Sequence, residues 1–229
     1  MGFAPCRLLR RLTTRLPCPN AQAMAKIEQL FVTQLYRAEL NGRSGATLIS
    51  ELADSCMLLA REDQAGRRWS RDNDYPGYTS YASLTDLALR LPAFADLTEA
   101  INGHATEFAR ELDFDLGGRR LVMDSLWANV LDPGGHHAAH IHPQSVLSGT
   151  FYVAVPEGAS ALKLEDPRLG LMMAAPPRRA RARPHNRSFV YVAPKAGTLL
   201  LWESWLRHEV PVNNAKAKRI SISFNYRWG

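Results

Sequence analysis

The sequence predicts a mainly β fold, an antiparallel sandwich or barrel, with helices confined to its first half and packed on one face. Two observations carry this. After Gly118, six short segments rich in β-branched and aromatic residues follow one another, separated by Gly, Pro and Asn. Before it, apolar residues recur at helical spacing over 46–63 and again within 83–114. The chain has no internal repeat, and no glycine-rich phosphate loop follows a strand. With 46% hydrophobic residues among 229, it is long enough for one sizeable core.

Taken in order, residues 1–23 carry four arginines and no acid, a pattern shared with targeting peptides. Ordinary globular sequence begins only at Met24, so 1–23 are expected to be an over-extended start or a disordered extension. That leaves 24–229 as a single domain. "QLFVTQLYRAEL" (29–40) reads as a short strand and 46–63 as a helix. The stretch 83–114 reads as two helices broken by Pro92, with Ser83 or Thr85 as the first cap and Asp96 or Thr98 as the second. The expected strands are "RLVMDSLWANVL", "SVLSGTFYVAV", "ALKLED", "SFVYVAP", "GTLLLWES" and "RISISFNYRW".

The net charge of +6 invites a nucleic-acid reading, but its location argues against one. Beyond the four N-terminal arginines, five more sit in "RRARARPHNR" (178–187), and the remainder is net acidic. A basic groove built across the fold is not expected, and 178–187 reads as a solvated loop. Cys6, Cys18 and Cys56 form no metal-spaced pair. That argues against a disulfide scaffold and for a reducing compartment, the cytoplasm. No apolar run approaches the roughly 20 residues of a membrane span.

Three patterns carry chemistry. "GGHHAAHIHPQSVLSG" (134–149) holds four of the seven histidines. At a strand end, His140 and His142 project to one face, where a metal ion can bridge two imidazoles; the alternative is a solvated loop. In "PKAGTLLLWESWLRHEVPVNN" (194–214), a turn, an apolar strand and His208 could supply a third ligand from across a barrel; alone, His208 is a surface histidine. In "RISISFNYRW", alternation puts Arg219, Ser221, Ser223 and Asn225 on one face and Ile220, Ile222, Phe224 and Tyr226 on the other. Either the polar face meets water, or a guanidinium and a hydroxyl clamp a carboxylate inside the barrel.

The order H-x-ligand, distal histidine, then R-x-S resembles the Fe(II)- and 2-oxoglutarate-dependent oxygenases. "HIHPQSVLSGTFYV", "EDPR", "AGTLLLWESWLRHEV" and "RISISFN" are similar to a bacterial and phage branch of that superfamily. The resemblance implies a double-stranded β-helix, a jelly-roll or cupin-like barrel flanked by helices. It implies Fe(II) and 2-oxoglutarate as cofactors and hydroxylation of an unidentified substrate. It assigns His140, His142 and His208 to the metal, Arg219 and Ser221 to the remote carboxylate of 2-oxoglutarate, and Tyr152 and Asn129 to the cosubstrate pocket. Tyr152 reads equally as an ordinary strand aromatic. Trp127, Trp202 and Trp205 read as core, and His136 and His137 as non-ligands. One departure matters: the superfamily usually places Asp or Glu where His142 stands. "GHHAAHIH" also resembles the opening motif of cupins, although the glutamate expected after it is replaced by Ser145, Val146 and Leu147. A cupin-type metalloenzyme that ignores 2-oxoglutarate and a non-catalytic β-sandwich binding module are therefore the alternatives.

Overall fold

Ten strands and four helices make up the fold, seen in a computed structural model that describes residues 25–40 and 42–229. The expectations for 1–23, Cys6 and Cys18 included, lie outside the described residues. Residues 25–32 form no helix or strand. From Thr33 to Gly229 the chain is one compact unit.

The strands are β1 (Tyr36–Glu39), β2 (Gly77–Thr79), β3 (Leu121–Leu131), β4 (His137–His140), β5 (Leu147–Ala154), β6 (Leu162–Glu165), β7 (Phe189–Val192), β8 (Thr198–Glu203), β9 (His208–Val210) and β10 (Arg219–Trp228). They form two antiparallel sheets, ordered β1-β8-β5-β10-β3-β2 and β4-β9-β6-β7. This is the predicted jelly-roll. The helices are α1 (Gly42–Glu62), α2 (Gln64–Asp72), α3 (Leu87–Arg90) and α4 (Pro92–Glu111).

Strict alternation sorts the large sheet into two faces. Leu126, Ala128 and Val130 of β3, Phe151 and Val153 of β5, Leu199 and Leu201 of β8, and Ile220 and Ile222 of β10 join one core. Leu52 and Cys56 of α1 and Phe94, Leu97, Ile101 and Phe108 of α4 complete it. Each fully buried Leu or Phe there contributes roughly 1.5–3 kcal/mol of transfer free energy. The intervening residues Leu131, Tyr152, Leu200 and Trp202 face the other way, into a second core with Leu162, Leu164, Val192 and Val210 of the small sheet. Helices therefore seal one side of the large sheet, and the barrel interior lies on the other.

Two glycines hold this geometry. Gly197, at φ +83°, makes the turn that opens β8. On β5, a Cβ at Gly149 would lie 2.3 Å from Phe224 Cζ, so no larger residue fits beneath that ring.

Several local expectations are corrected. The first strand is only Tyr36–Glu39, because Phe31 takes a left-handed backbone (φ 55°) that an extended strand cannot accommodate. Pro92 opens α4 at its first position, where its missing N–H costs nothing, so Asp96 and Thr98 lie inside that helix and cap nothing. Thr85 is likewise no cap, since Asp86 precedes α3 and makes no side-chain cap bond. The Ser83 hydroxyl instead donates to Asp63 Oδ2 at 2.5 Å. Asp63 caps α2, an element the sequence did not announce, by accepting from the Gly66 amide at 3.0 Å. The basic loop 178–187 is exposed at nearly every position, as expected. Cys56 is a buried free thiol, with burial pushing its pKa up to about 12. Among the described residues, no helix is long and apolar enough to cross a membrane.

Candidate metal and cosubstrate site

The small sheet brings the two ends of the histidine pattern together. β4 pairs with β9 so that His140 and His208 are direct cross-strand partners, their ring centroids 4.4 Å apart. His142, just beyond the end of β4, is tied by its backbone N–H to the Ser204 carbonyl at 3.0 Å. Its ring centroid lies 5.0 Å from that of His140 and 5.3 Å from that of His208. One nitrogen from each ring falls in a set whose members all lie within 4.8 Å of one another. A divalent ion with bonds of about 2.0–2.1 Å to each imidazole fits such a set after small ring movements. His208 is buried, not the surface histidine of the alternative reading, and His140 and His142 are half-buried beside it.

Two rings are held in the tautomer a metal needs. His140 Nδ1 lies 2.7 Å from the Ala138 carbonyl and His208 Nδ1 2.9 Å from the Leu206 carbonyl. A carbonyl only accepts, so each Nδ1 carries the proton and each Nε2 keeps its lone pair. Burial pushes the His208 pKa down to about 3 and, with the neighbouring His140, that of His142 to about 4. Both rings are thus neutral at neutral pH, the state in which an imidazole can hold a metal.

β10 supplies the rest of the pocket. Its polar face runs from Arg219 through Ser221 and Ser223 to Asn225, opposite Asn129, Trp127 and Ser125 of β3 and Tyr152, Thr150 and Ser148 of β5. This face is turned into the barrel rather than to water: Arg219 is 2% exposed. A buried cation is tolerated when something pairs with it. Arg219 has no carboxylate partner among the described residues; its Nη1 donates to Ser221 Oγ at 3.3 Å, its Cζ lies 5.1 Å from the Tyr152 ring centroid, and its Nε has no partner. The Tyr152 hydroxyl and Trp202 Nε1 are also buried without partners. Arg219 and Trp202, each with an unpartnered donor, stand on the wall of a pocket that also includes the three imidazoles, a donor set of the kind that suits a carboxylate.

The pocket wall includes Arg219, Ser221, the three imidazoles, Trp127, Trp202 and His137. Tyr152 is fully buried behind the guanidinium and is not itself part of that wall. Asn129 departs from its expected place: it is buried with its amide spent on Thr79, Tyr75 and Ser223. Trp127 and Trp202 are buried, as expected of core residues, and also line the site, whereas Trp205 departs from the expected core, being 45% exposed. His137 is no member of the ligand set, yet it faces the same cavity, 2.7 Å from the Tyr75 hydroxyl, with its pKa pushed down to about 3 chiefly by burial. Sequence reading missed it because β4 carries a bulge between His137 and His140, which breaks simple alternation.

Comparison with known proteins agrees with this geometry. Residues 125–225 match the family described as "Putative 2OG-Fe(II) oxygenase". No protein of curated function matches the sequence. Among solved structures, the chain is similar to a prolyl-4-hydroxylase from Pseudomonas putida, with 16% identity, TM-score 0.56 and coverage of 85% of this chain and 93% of that one. It is also similar to HygX from Streptomyces hygroscopicus, solved with nickel and 2-oxoglutarate, at 13% identity, TM-score 0.53 and coverage of 85% and 82%. A third similarity is to a prolyl hydroxylase from Trichoplax adhaerens, at 15% identity, TM-score 0.53 and coverage of 85% and 83%. The structural likenesses establish the fold, and the family match covers the strands that build the pocket.

Proposed function

We propose that this chain, matched over 125–225 to the 2-oxoglutarate/Fe(II) oxygenase family, is a dioxygenase of that kind in which three histidines hold the metal. One observation carries the reading: a guanidinium, buried and without a carboxylate, shares a pocket with three converging imidazoles. His140, His142 and His208 hold Fe(II) through their unprotonated nitrogens. Arg219, with Ser221 and the Tyr152 hydroxyl, binds the remote carboxylate of 2-oxoglutarate and so orients the oxo acid toward the metal. When bound, Fe(II) with 2-oxoglutarate and dioxygen supplies the oxidation, in which the oxo acid becomes succinate and CO2 and one oxygen atom passes to the substrate.

The protein's own work is positional. Two neutral Nδ1–H donors anchored on carbonyls keep the rings aimed, and the apolar wall of Leu162, Val210, Trp202 and Phe224 limits water in the pocket. His142 in place of a carboxylate leaves the centre more positive by one unit, which favours an anionic cosubstrate. On the outer side of the wall, Tyr81, 55% exposed, meets the Trp127 ring edge-on at 5.2 Å, and the Trp127 ring lies 6.2 Å from that of His142. We assign the unidentified primary substrate to this side, and place the protein in the cytoplasm.

The test is anaerobic titration of the metal-free protein with Fe(II), then 2-oxoglutarate, following the visible charge-transfer absorption of the chelated oxo acid. A band that needs both components, and is lost in His208→Ala, supports the reading. Stoichiometric Fe(II) binding with no band would sink it in favour of a cupin-type centre indifferent to 2-oxoglutarate.

A further inference from the structure

His142 is held differently from the other two rings. His140 and His208 face backbone carbonyls, which fix the proton on Nδ1. His142 Nδ1 faces a side-chain carboxamide, that of Asn225, at 3.2 Å. An amide can offer the ring either an oxygen or an NH2 group, and the two ends are alike in size. In the orientation found, Asn225 Nδ2 faces the ring and also donates to Ser125 Oγ at 3.3 Å, while Oδ1 accepts from Ser148 Oγ at 2.8 Å. Ser148 Oγ in turn lies 2.7 Å from Ser204 Oγ. That arrangement makes Nδ1 an acceptor and leaves the ring proton on Nε2, the nitrogen that Asn225 does not engage and that is left to hold a metal.

Turning the amide over removes the conflict. Oδ1 then accepts from His142 Nδ1–H and from the Ser125 hydroxyl, Nδ2 donates to Ser148 Oγ, and Ser148 donates to Ser204. Every contact is kept, because each serine hydroxyl can both donate and accept. A carboxylate at position 142 would have no tautomer to set, so the need for such a device arises with the histidine.

We propose that Asn225 is the positioning residue for His142: its carboxamide accepts from Nδ1–H when a metal ion is held at Nε2. Ser125, Ser148 and Ser204 are the hydroxyls that allow the amide to turn without losing a bond. The proposal rests on the three-imidazole centre above. It differs from the carbonyl anchors in that an amide can present either its oxygen or its NH2 to the ring.

Zn(II), which is redox-inert, is the probe. In protein with 15N-labelled histidine, NMR of the Zn(II) complex is expected to show His142 protonated at Nδ1 and metal-bound at Nε2. Asn225→Ala should weaken Zn(II) binding about 10- to 100-fold. Asn225→Asp, which still accepts from Nδ1–H, should restore affinity to near the parent value, which a purely structural role for the amide would not do. His142 bound through Nδ1, or an Asn225→Ala affinity within twofold of the parent, overturns the proposal. Should Asn225→Ala fail to fold, the tautomer of the unaltered protein still decides. If the parent binds no Zn(II), the three-imidazole reading falls as well. If it binds, loses binding in His140→Ala and is indifferent to Asn225, only this proposal falls.

Discussion

Arg219 concentrates the tension between stability and function. A guanidinium 2% exposed and without a carboxylate partner among the described residues is a cost to the metal-free fold, and replacing such groups by apolar ones of similar volume is often stabilising by about 1–4 kcal/mol. Arg219→Met is therefore expected to raise the melting temperature of the metal-free protein while weakening 2-oxoglutarate binding by about 30- to 1000-fold, the loss typical of removing one partner of a buried charge pair. Metal affinity should be unchanged. Calorimetry with each component separately reads both effects, and a destabilised variant with intact cosubstrate binding would show that Arg219 is merely structural. The buried imidazoles set a pH dependence of definite sign. His137 and His208 have pKa values pushed down to about 3 and His142 to about 4, against about 6.5 in the unfolded chain. Between those limits the unfolded state binds more protons, so stability is fully present above pH 6.5 and is lost as pH falls. The slope approaches about 1.4 kcal/mol per pH unit for each buried ring wholly inside the window. Urea midpoints of the metal-free protein at pH 7.5 and 5 should therefore drop; equal midpoints would mean that the rings are not held neutral.

Among the elements, α2 and β2 were illegible in the sequence, and the reason is physical. "QAGRRWSRD" has a strongly polar composition and only two buried residues, Gly66 and Ser70, so no apolar period marks it as a helix. It is held by Asp63, which accepts from the Gly66 amide and from the Tyr78 and Ser83 hydroxyls. Burial acts to raise the Asp63 pKa, but those hydrogen bonds outweigh it and hold the carboxyl below its usual value. Asp63→Ala should cost about 1–3 kcal/mol by removing a cap and stranding two hydroxyls, measured as a shift in denaturation midpoint. β5 offers the opposite lesson. Its Ser-Gly pair was visible as a motif, but the need for glycine comes from the Phe224 ring on β10. Gly149→Ala should destabilise by about 1–3 kcal/mol through overpacking, and unchanged stability would mean that the β5–β10 contact yields freely.

At the scale of the whole molecule, the pocket joins both sheets. His140 and His208 come from β4 and β9, and Arg219, Ser221 and Ser223 from β10. In the proposed function, a metal and a cosubstrate held there would tie the two sheets together. Each ligand that binds only the folded state stabilises it by mass action, about 2.7 kcal/mol at a hundredfold excess over its Kd. Fe(II) alone should raise the melting temperature under anaerobic conditions, and 2-oxoglutarate should add a further rise only when a metal is present. Additive, order-independent shifts would place the two ligands at unconnected sites.

The sequence by itself determined the β-rich class, the division into a helical half and a strand half, and the sorting of β10 into a polar and an apolar face. These are properties of nearest neighbours and short periods, and they survive without any knowledge of which strand pairs with which. It also put His140, His142, His208 and Arg219 forward as chemistry-bearing residues. Tertiary structure alone brought them into one pocket. The polar face of β10 is buried because the small sheet closes over it, and His208 meets His140 because β9 pairs with β4 across a separation of 68 residues. It also decided what surrounds them: His137 on the pocket wall, Asn129 withdrawn from it, and Asn225 against the third imidazole. Convergence of side chains from distant segments depends on register and closure, and neither is written in a local pattern.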